Sequence, residues 1–262
     1  MHPLNIENSI MKIISWNVNG IRAASSHGCI DWLKKEQPDI LCVQETKAHP
    51  DQLSEELIAP EGYRSVWASA RKKGYSGCAV YYKKEFQSVS LLGEERFDDE
   101  GRVQLLENGD FTLINAYFPN SQDGGKRLGY KIDFCDTLLR KCTALRKAGK
   151  NIIICGDFNI AHTPIDLARP KQNEQNPGYL PEERQWMTEF LANGYVDTFR
   201  MFTTEGEHYS WWSYRMNARA KNIGWRIDYF CVNSGFSSHV KDAFILDEVT
   251  GSDHCPVGIV LG

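Results

Sequence analysis

The chemistry-bearing residues of this chain centre on Asn151-Ile152-Ile153-Ile154-Cys155-Gly156-Asp157-Phe158-Asn159. Four consecutive apolar residues predict a strand buried on both faces, which Gly156 then breaks. Asp157 and Asn159 stand two apart, so an extended backbone would put them on one side. A carboxylate and an amide at the lip of a buried strand can hold and deprotonate a water. The plain alternative is a polar turn, since Asp and Asn favour turns. Comparable residues close or adjoin other apolar runs: Asn17 and Asn19, Glu45, Tyr117 and Asn120, Asp228, and Asp253 with His254. Such a set at the mouths of separate strands implies one shared polar pocket. Clustered carboxylates raise each other's proton affinity unless a cation intervenes. All-oxygen donors favour a hard divalent ion, with Glu45 the first choice as direct ligand and Mg²⁺ the natural occupant. No His/Cys spacing of the zinc type is present. His254 needs a partner to fix its tautomer or hold it charged, and Asp228 on a different run can supply it.

These residues can meet only if the strands that carry them end at one edge. Strands are predicted over Lys12 to Asn19, Asp39 to Gln44, Tyr63 to Ala68, Gly77 to Tyr82, Trp225 to Val232 and Pro256 to Leu261, with an aromatic strand over Tyr209 to Tyr214. Arg102 to Leu106 and Phe111 to Phe118 predict a hairpin turning at Asn108-Gly109. A short helix near Ile30 and Leu33 is terminated by Pro38, and Pro50 to Ile58 reads as helical. Leu128, Ile132, Cys135, Leu138, Leu139, Cys142 and Leu145 recur at helical spacing within Lys126 to Ala148. Pro181 opens another helix, with Glu182 and Glu183 at its positive end. Between them, His162 to Tyr179 is a long irregular segment of the kind that usually carries function. At least nine strands and four helices, mixed in order, predict an α/β sandwich of two sheets flanked by helices. The two halves look matched, each opening on an Ile-rich strand that ends in Asn or Asp.

Within 262 residues no linker or repeat divides the chain, so residues 11–262 read as one domain, with residues 1–10 as a loose extension. No apolar run approaches the roughly 20 residues of a membrane helix, and the first residues lack a secretory layout. The eight cysteines form no C-x-x-C pair and mostly lie in apolar runs, as expected of buried free thiols in a reducing cytoplasm. The net charge of −4 argues against an unspecific polyanion-binding tail but leaves room for a local basic groove. Arg71-Lys72-Lys73, Lys126-Arg127 and Arg215 to Lys221 are the basic stretches that could line it.

The chain resembles the exonuclease III family of apurinic/apyrimidinic (AP) endonucleases from about Met11 to its end. The matching stretches are Ser15 to Arg22, Gln44 to Lys47, Gly74 to Gly77, Asn115 to Asn120, Gly156 to His162, Gly224 to Tyr229 and Gly251 to Pro256. The resemblance implies a four-layered α/β sandwich of two packed mixed sheets. It implies Mg²⁺-dependent incision of duplex DNA 5′ to abasic sites, with Mn²⁺ as an alternative ion and 3′→5′ exonuclease and 3′-repair activities alongside. On matching positions, Glu45 binds the metal with Asn17 beside it and Asp253 near it through water. Asp157 takes the proton of the attacking water, although His254 has also been proposed for that role. Asn159 orients Asp157, Tyr117 and Asn120 contact the phosphate, and His254 held by Asp228 stabilises charge on phosphoryl oxygens.

By the same resemblance Arg22, Lys47, Tyr75, Arg127, Tyr130, Asn173 and Asn176 lie at or near the DNA. Trp211 and Trp225 wall a pocket for a flipped abasic sugar, and Arg215 and Met216 wedge into the duplex, while Trp212 is assigned to the core. The chain departs from some members at Asn19, where an acid is found, at Asp123, where a basic residue grips DNA, and at Trp211, where a Phe stands. Lesion range can therefore differ and extend to deaminated nucleotides such as uracil. The expected protein is a monomer acting on DNA in the cytoplasm, nucleoid-associated in a prokaryote. Inositol-polyphosphate phosphatases and sphingomyelinases share the Glu, Gly-Asp-x-Asn and Ser-Asp-His elements. A binding-only translational repressor is a further relative, with decayed catalytic residues that are intact here.

Overall fold

Fourteen strands form within residues 10–262, the part of the chain that the computed structural model describes. The expected extension over residues 1–10 lies outside it, apart from an exposed Ile10. The first seven strands are β1 (Met11–Asn17), β2 (Ile40–Gln44), β3 (Arg64–Ala68), β4 (Cys78–Tyr82), β5 (Ser88–Ser90), β6 (Val103–Glu107) and β7 (Thr112–Tyr117). Then come β8 (Ile152–Asp157), β9 (Tyr195–Asp197), β10 (Trp211–Trp212), β11 (Gly224–Trp225), β12 (Asp228–Asn233), β13 (Val240–Ile245) and β14 (Val257–Leu261). The helices are α1 (Ile21–Ser26), α2 (Cys29–Glu36), α3 (Glu55–Ile58), α4 (Glu95–Asp98), α5 (Leu128–Lys147), α6 (Pro170–Asn173), α7 (Pro181–Ala192) and α8 (Phe199–Phe202). None of the described helices is long and apolar enough to cross a membrane.

One six-stranded sheet runs β13-β14-β1-β2-β4-β3 and the other β9-β12-β8-β7-β6-β5. Each has one parallel pair at its centre, β1 with β2 and β7 with β8, and antiparallel neighbours elsewhere. The two halves are matched in strand order and direction, but β1 corresponds to β7 and β2 to β8, so the two Ile-rich strands, β1 and β8, are not counterparts. Ile153 and Cys155 of β8 face Ile13, Cys42 and Ile259 of the other sheet across a dry interior. Ile152 and Ile154 point the opposite way, under Phe134 and Leu138 of α5 and Met187 and Phe190 of α7. On the far side, Ile14, Trp16 and Leu41 are covered by Ile21, Ile30 and Leu33 of α1 and α2. The result is four layers. Each fully buried side chain of this size contributes roughly 1.5–3 kcal/mol to holding them together.

Several expectations are corrected. Gly156 does not end its strand: β8 continues through it to Asp157, pairing Gly156 with Ala116. Its φ is +135°, and a Cβ there would fall on the Ala116 carbonyl oxygen, so the central strand pair closes only over a glycine. The region from Pro50 to Ile58 is two separate turns. A 3₁₀ turn at Pro50–Gln52 closes when the Gln52 side chain accepts the His49 N–H, and extended residues separate it from α3. The aromatic strand shrinks to Trp211–Trp212, because the Trp212 N–H and the Ser210 carbonyl bond to Asp253 and Cys255. The run from Trp225 to Val232 splits between two sheets, since Arg226 turns inward to bond Asp166 and Asp197. The 162–179 segment holds only a 3₁₀ turn at Pro164–Asp166 and the one-turn α6, yet it is anchored. Ala161 donates to the Gly178 carbonyl, and the Asp166 carboxylate accepts from Arg226 and Arg200. All eight cysteines are free and buried.

Gly156→Ala should lower unfolding free energy by about 3 kcal/mol or more, through overpacking and an unsuitable φ. Urea titration checks this; a midpoint like that of the parent protein would mean that β7 and β8 can separate at no cost.

Candidate active site

Topology brings the polar residues to one edge. The parallel pairs β1/β2 and β7/β8 deliver four carboxyl-terminal strand ends there: Asn17, Glu45 just past β2, Tyr117 and Asp157. β12 and β14 run antiparallel to these, so their starts lie at the same edge. Asp228 pairs with Asp157 in register, and His254 precedes β14 by three residues.

Asn17 Nδ2 donates to Glu45 Oε1 at 2.9 Å and to Asp157 Oδ2 at 2.8 Å. Its Oδ1 accepts the Asn19 N–H at 2.9 Å, so the oxygen that a metal would need is engaged by backbone. Asp157 and Asn159 do meet, but not through an extended chain. Asn159 adopts a left-handed φ of +52°, which Asn tolerates better than most residues. Its N–H donates to Asp157 Oδ1 at 2.7 Å and its Nδ2 to Asp157 Oδ2 at 3.1 Å. Asn120 Nδ2 in turn donates to Asn159 Oδ1 at 3.0 Å.

His254 Nδ1 lies 2.8 Å from Asp228 Oδ2, which also accepts the Ser210 hydroxyl at 2.7 Å. An ionised carboxylate only accepts, so Nδ1 carries the proton and Nε2 faces Asp157 Oδ2 at 3.9 Å. Burial disfavours the imidazolium, but Asp228, Asp157 and Asp253 together outweigh it and raise His254 to about 10. Asp157 is raised to about 7, first by burial and then by Asp228 and Glu45, with His254 opposing. Burial also works against Glu45, yet Lys47 and Asn17 bring it below the usual carboxylate range. Lys47 Nζ sits 2.8 Å from Glu45 Oε2. The Tyr117 hydroxyl is pushed well up by burial and by the neighbouring Glu45 and Asp157.

Ligand atoms of Glu45, Asp157 and His254 lie within 4.8 Å of one another. Because Asp228 keeps His254 protonated, the available donors are carboxylate oxygens. Asp157 owes its raised affinity for a proton first to burial and then to the carboxylates of Asp228 and Glu45 beside it. Both features fit a hard divalent cation with Glu45 as its first ligand. Asp253 stands outside this group, its two oxygens accepting from Asn19 Nδ2 at 2.9 Å and Trp211 Nε1 at 3.0 Å.

The cluster opens into a cavity of about 640 Å³. Trp211 and Trp225 form one wall, edge to face with ring centroids 6.2 Å apart, and Asn176, Asn120, Arg215 and Asp123 stand on its lining. Trp212 is buried. Met216 is 85% exposed with φ +58° on the same loop as Arg215. Arg22 lies exposed on α1. Other expected contact residues form a second group. The Tyr75 hydroxyl accepts from Arg127 at 2.7 Å and Arg102 at 2.9 Å, while Tyr130 donates to the Arg96 carbonyl. This joins the first two basic stretches, and Arg102, stacked 4.8 Å from the Tyr117 ring, ties them to the site. Asn173 is committed to the Ala168 and Arg169 carbonyls and to Asn176. In the third basic stretch Arg219 is spent on the carbonyls of Asp247, Val249 and Ser252. Arg102, Ser210 and Ser252 were not singled out from sequence. A lone Arg opening an apolar strand is the signal for Arg102, and the Ser-Asp-His element that for Ser252; Ser210 offers none.

Residues 14–254 match the family model described as the endonuclease/exonuclease/phosphatase family. An exodeoxyribonuclease of Bacillus subtilis is 45% identical over 254 residues, 96% of this chain and 99% of that protein. A DNA repair nuclease, APEX1, of Danio rerio is 43% identical over 96% of this chain and 82% of its own length. The crystal structure of an AP endonuclease from Leishmania major superposes with a TM-score of 0.88 at 32% identity, over 97% of this chain and 88% of that one.

Because His254 is raised in the folded state, its charge contributes stability fully below the ordinary imidazole value of about 6.5, and this is lost as pH rises through about 10. Asp228→Asn removes the anion that holds the proton, so the imidazole should titrate at lower pH in that variant. NMR of the His254 ring checks this, and an unchanged midpoint would show that Asp228 does not set its charge.

Proposed function

The chain belongs to the endonuclease/exonuclease/phosphatase family, and on that premise we propose that it is a DNA-repair phosphodiesterase that incises duplex DNA 5′ to abasic sites. In this reading it also removes nucleotides and blocking groups from 3′ ends, and incises at damaged or deaminated nucleotides such as uracil. The observation that carries the proposal is the buried Asn17–Asp157–Asn159 and Asp228–His254 set opening onto a cavity walled by two tryptophans. The names of the relatives support the choice of DNA as substrate.

Each residue then has a chemical task. Asp157, fixed on both oxygens by Asn17 and Asn159, takes a proton from a water aimed at phosphorus; it must be ionised to do so, and the rate falls as pH drops below its titration. His254, charged and oriented by Asp228, directs its Nε2 proton at a phosphoryl oxygen. Tyr117 and Asn120 hold the phosphate from the other side. Glu45 would hold a divalent cation, Mg²⁺ or Mn²⁺, with Asn17 and Asp253 beside it, and such an ion supplies charge relief at the phosphate. Trp211 and Trp225 admit a sugar lacking its base and exclude a normal nucleotide. Arg22, Lys47, Tyr75, Arg127, Tyr130, Asn173, Asn176, Arg215 and Met216 line the path of the duplex.

Purified protein with Mg²⁺ should nick a duplex carrying a tetrahydrofuran abasic analogue, and chelator should stop it. Asp157→Asn and His254→Asn should each reduce the rate by roughly 10²- to 10⁴-fold while gel-shift binding persists. An intact strand at high enzyme concentration overturns the proposal, and near-normal turnover in either variant overturns the role given to that residue.

A further inference from the structure

α5 carries a lysine where its apolar stripe should hold a hydrophobe. Lys131 lies among Phe134, Cys135 and Leu138 and has no exposed surface, and Glu183 in the first turn of α7 is equally closed off. Lys131 Nζ is 2.6 Å from Glu183 Oε1 and 2.6 Å from the Asn159 carbonyl oxygen. Glu183 Oε1 also accepts the Ser121 hydroxyl at 2.5 Å, and its Oε2 accepts the N–H groups of Gly178 at 2.7 Å and Leu180 at 2.9 Å. One ion pair therefore gathers the turn after β8, the turn after β7 that bears Asn120, and the end of the 162–179 segment.

A buried pair is poor evidence for stability, because desolvation of both ions offsets their attraction. Its placement here has a more specific consequence. Asn159 sits in a left-handed conformation, and each of its polar groups is engaged. The N–H and Nδ2 hold Asp157, Oδ1 receives Asn120, and the carbonyl receives Lys131. Releasing the carbonyl frees the peptide plane after Asn159 to rotate, and the two bonds that aim the Asp157 carboxylate depend on that residue's conformation.

We propose that Lys131 and Glu183 are positioning residues for the reaction: the pair locks the Asn159 backbone and thereby the direction of Asp157. This rests on the reading of Asp157 as the base. Lys131→Met alone leaves Glu183 an uncompensated buried acid, so the deciding protein is Lys131→Met with Glu183→Gln, which is neutral and close in shape. Two measurements are made on it. On the tetrahydrofuran duplex, kcat should fall about 10- to 100-fold, as expected for a misaligned catalytic group, with KM within twofold. Without DNA, amide exchange at Asn159 and Ala161 should accelerate at least about tenfold, while Ile153 to Cys155 stay protected. A folded double variant with parental kcat, or with unchanged exchange at Asn159, overturns the proposal. Failure of the double variant to fold by circular dichroism also overturns it, since the pair would then serve folding and not alignment. If the parent protein leaves the duplex uncut, the catalytic reading fails, and the exchange measurement still decides whether the pair holds Asn159.

Discussion

Two carboxylates held close together, one buried and one at the lip of the site, are the constraint on which this molecule depends. Glu45 and Asp157 share a single amide donor, Asn17, and Asp228 stands opposite Asp157 in register. Placed there without counter-charge they would repel and take up protons. The site answers with two cations for these three acids: Lys47 against Glu45, and His254 shared by Asp228 and Asp157. Asp157 still stands well above the ordinary carboxylate range, first because burial denies its charge water and then because Asp228 and Glu45 lie close. The carboxylate oxygens gathered there suit a hard divalent cation.

The fold supplies the geometry by the simplest available means. A parallel strand pair places two carboxyl-terminal ends side by side, and packing two such pairs face to face places four together. Because the sheets share strand order and direction, Asn17 ending β1 corresponds to Tyr117 ending β7, and the mouth of β2 to Asp157 ending β8; Asn17 meets Asp157 across the two sheets at 2.8 Å. No loop needs to reach across the molecule to assemble the core of the site. Loops instead build its walls, and these are braced where they bear load. Arg226 fastens the 162–179 segment through Asp166 behind Trp225, and Arg219 fastens the 213–222 loop to the segment before Asp253.

What the sequence made legible follows from how local each signal is. The Ile152 run, the 20-residue α5 and the Pro181 start announce themselves within a few residues, and the observed elements agree with them. The acids and amides at strand ends were legible because each interrupts an apolar run. Elements whose bonds are made to distant partners were not: Trp211–Trp212 is shaped by Asp253 and Cys255, and the break at Arg226 by Asp166 and Asp197. The meeting of Asp157 with Asn159 was anticipated for the wrong reason. The two are joined by a tight left-handed turn, not by the period of a strand. Lys131 carried a signal that was passed over, a charge on the apolar stripe of a helix. Glu183 was read as an acid at a positive helix end, although it caps backbone from inside the protein.

Backbone conformation points to the same centre. Asn19, Glu45, Lys47, Ser76 and Asn159 all have positive φ, and each contacts another of the five or Asp157. For residues with a Cβ, each such conformation costs roughly 1–2 kcal/mol. Glu45 and Lys47 flank Thr46 in this way, and their side chains meet one another at the strand mouth. The surrounding layers tolerate this because they are close-packed: the Thr46 and Lys47 N–H groups bond the Gly77 and Ser76 carbonyls, which locks this stretch against β4. Strain concentrated beside the carboxylates and offset by the packed sheets indicates a site held in one geometry before any ligand arrives.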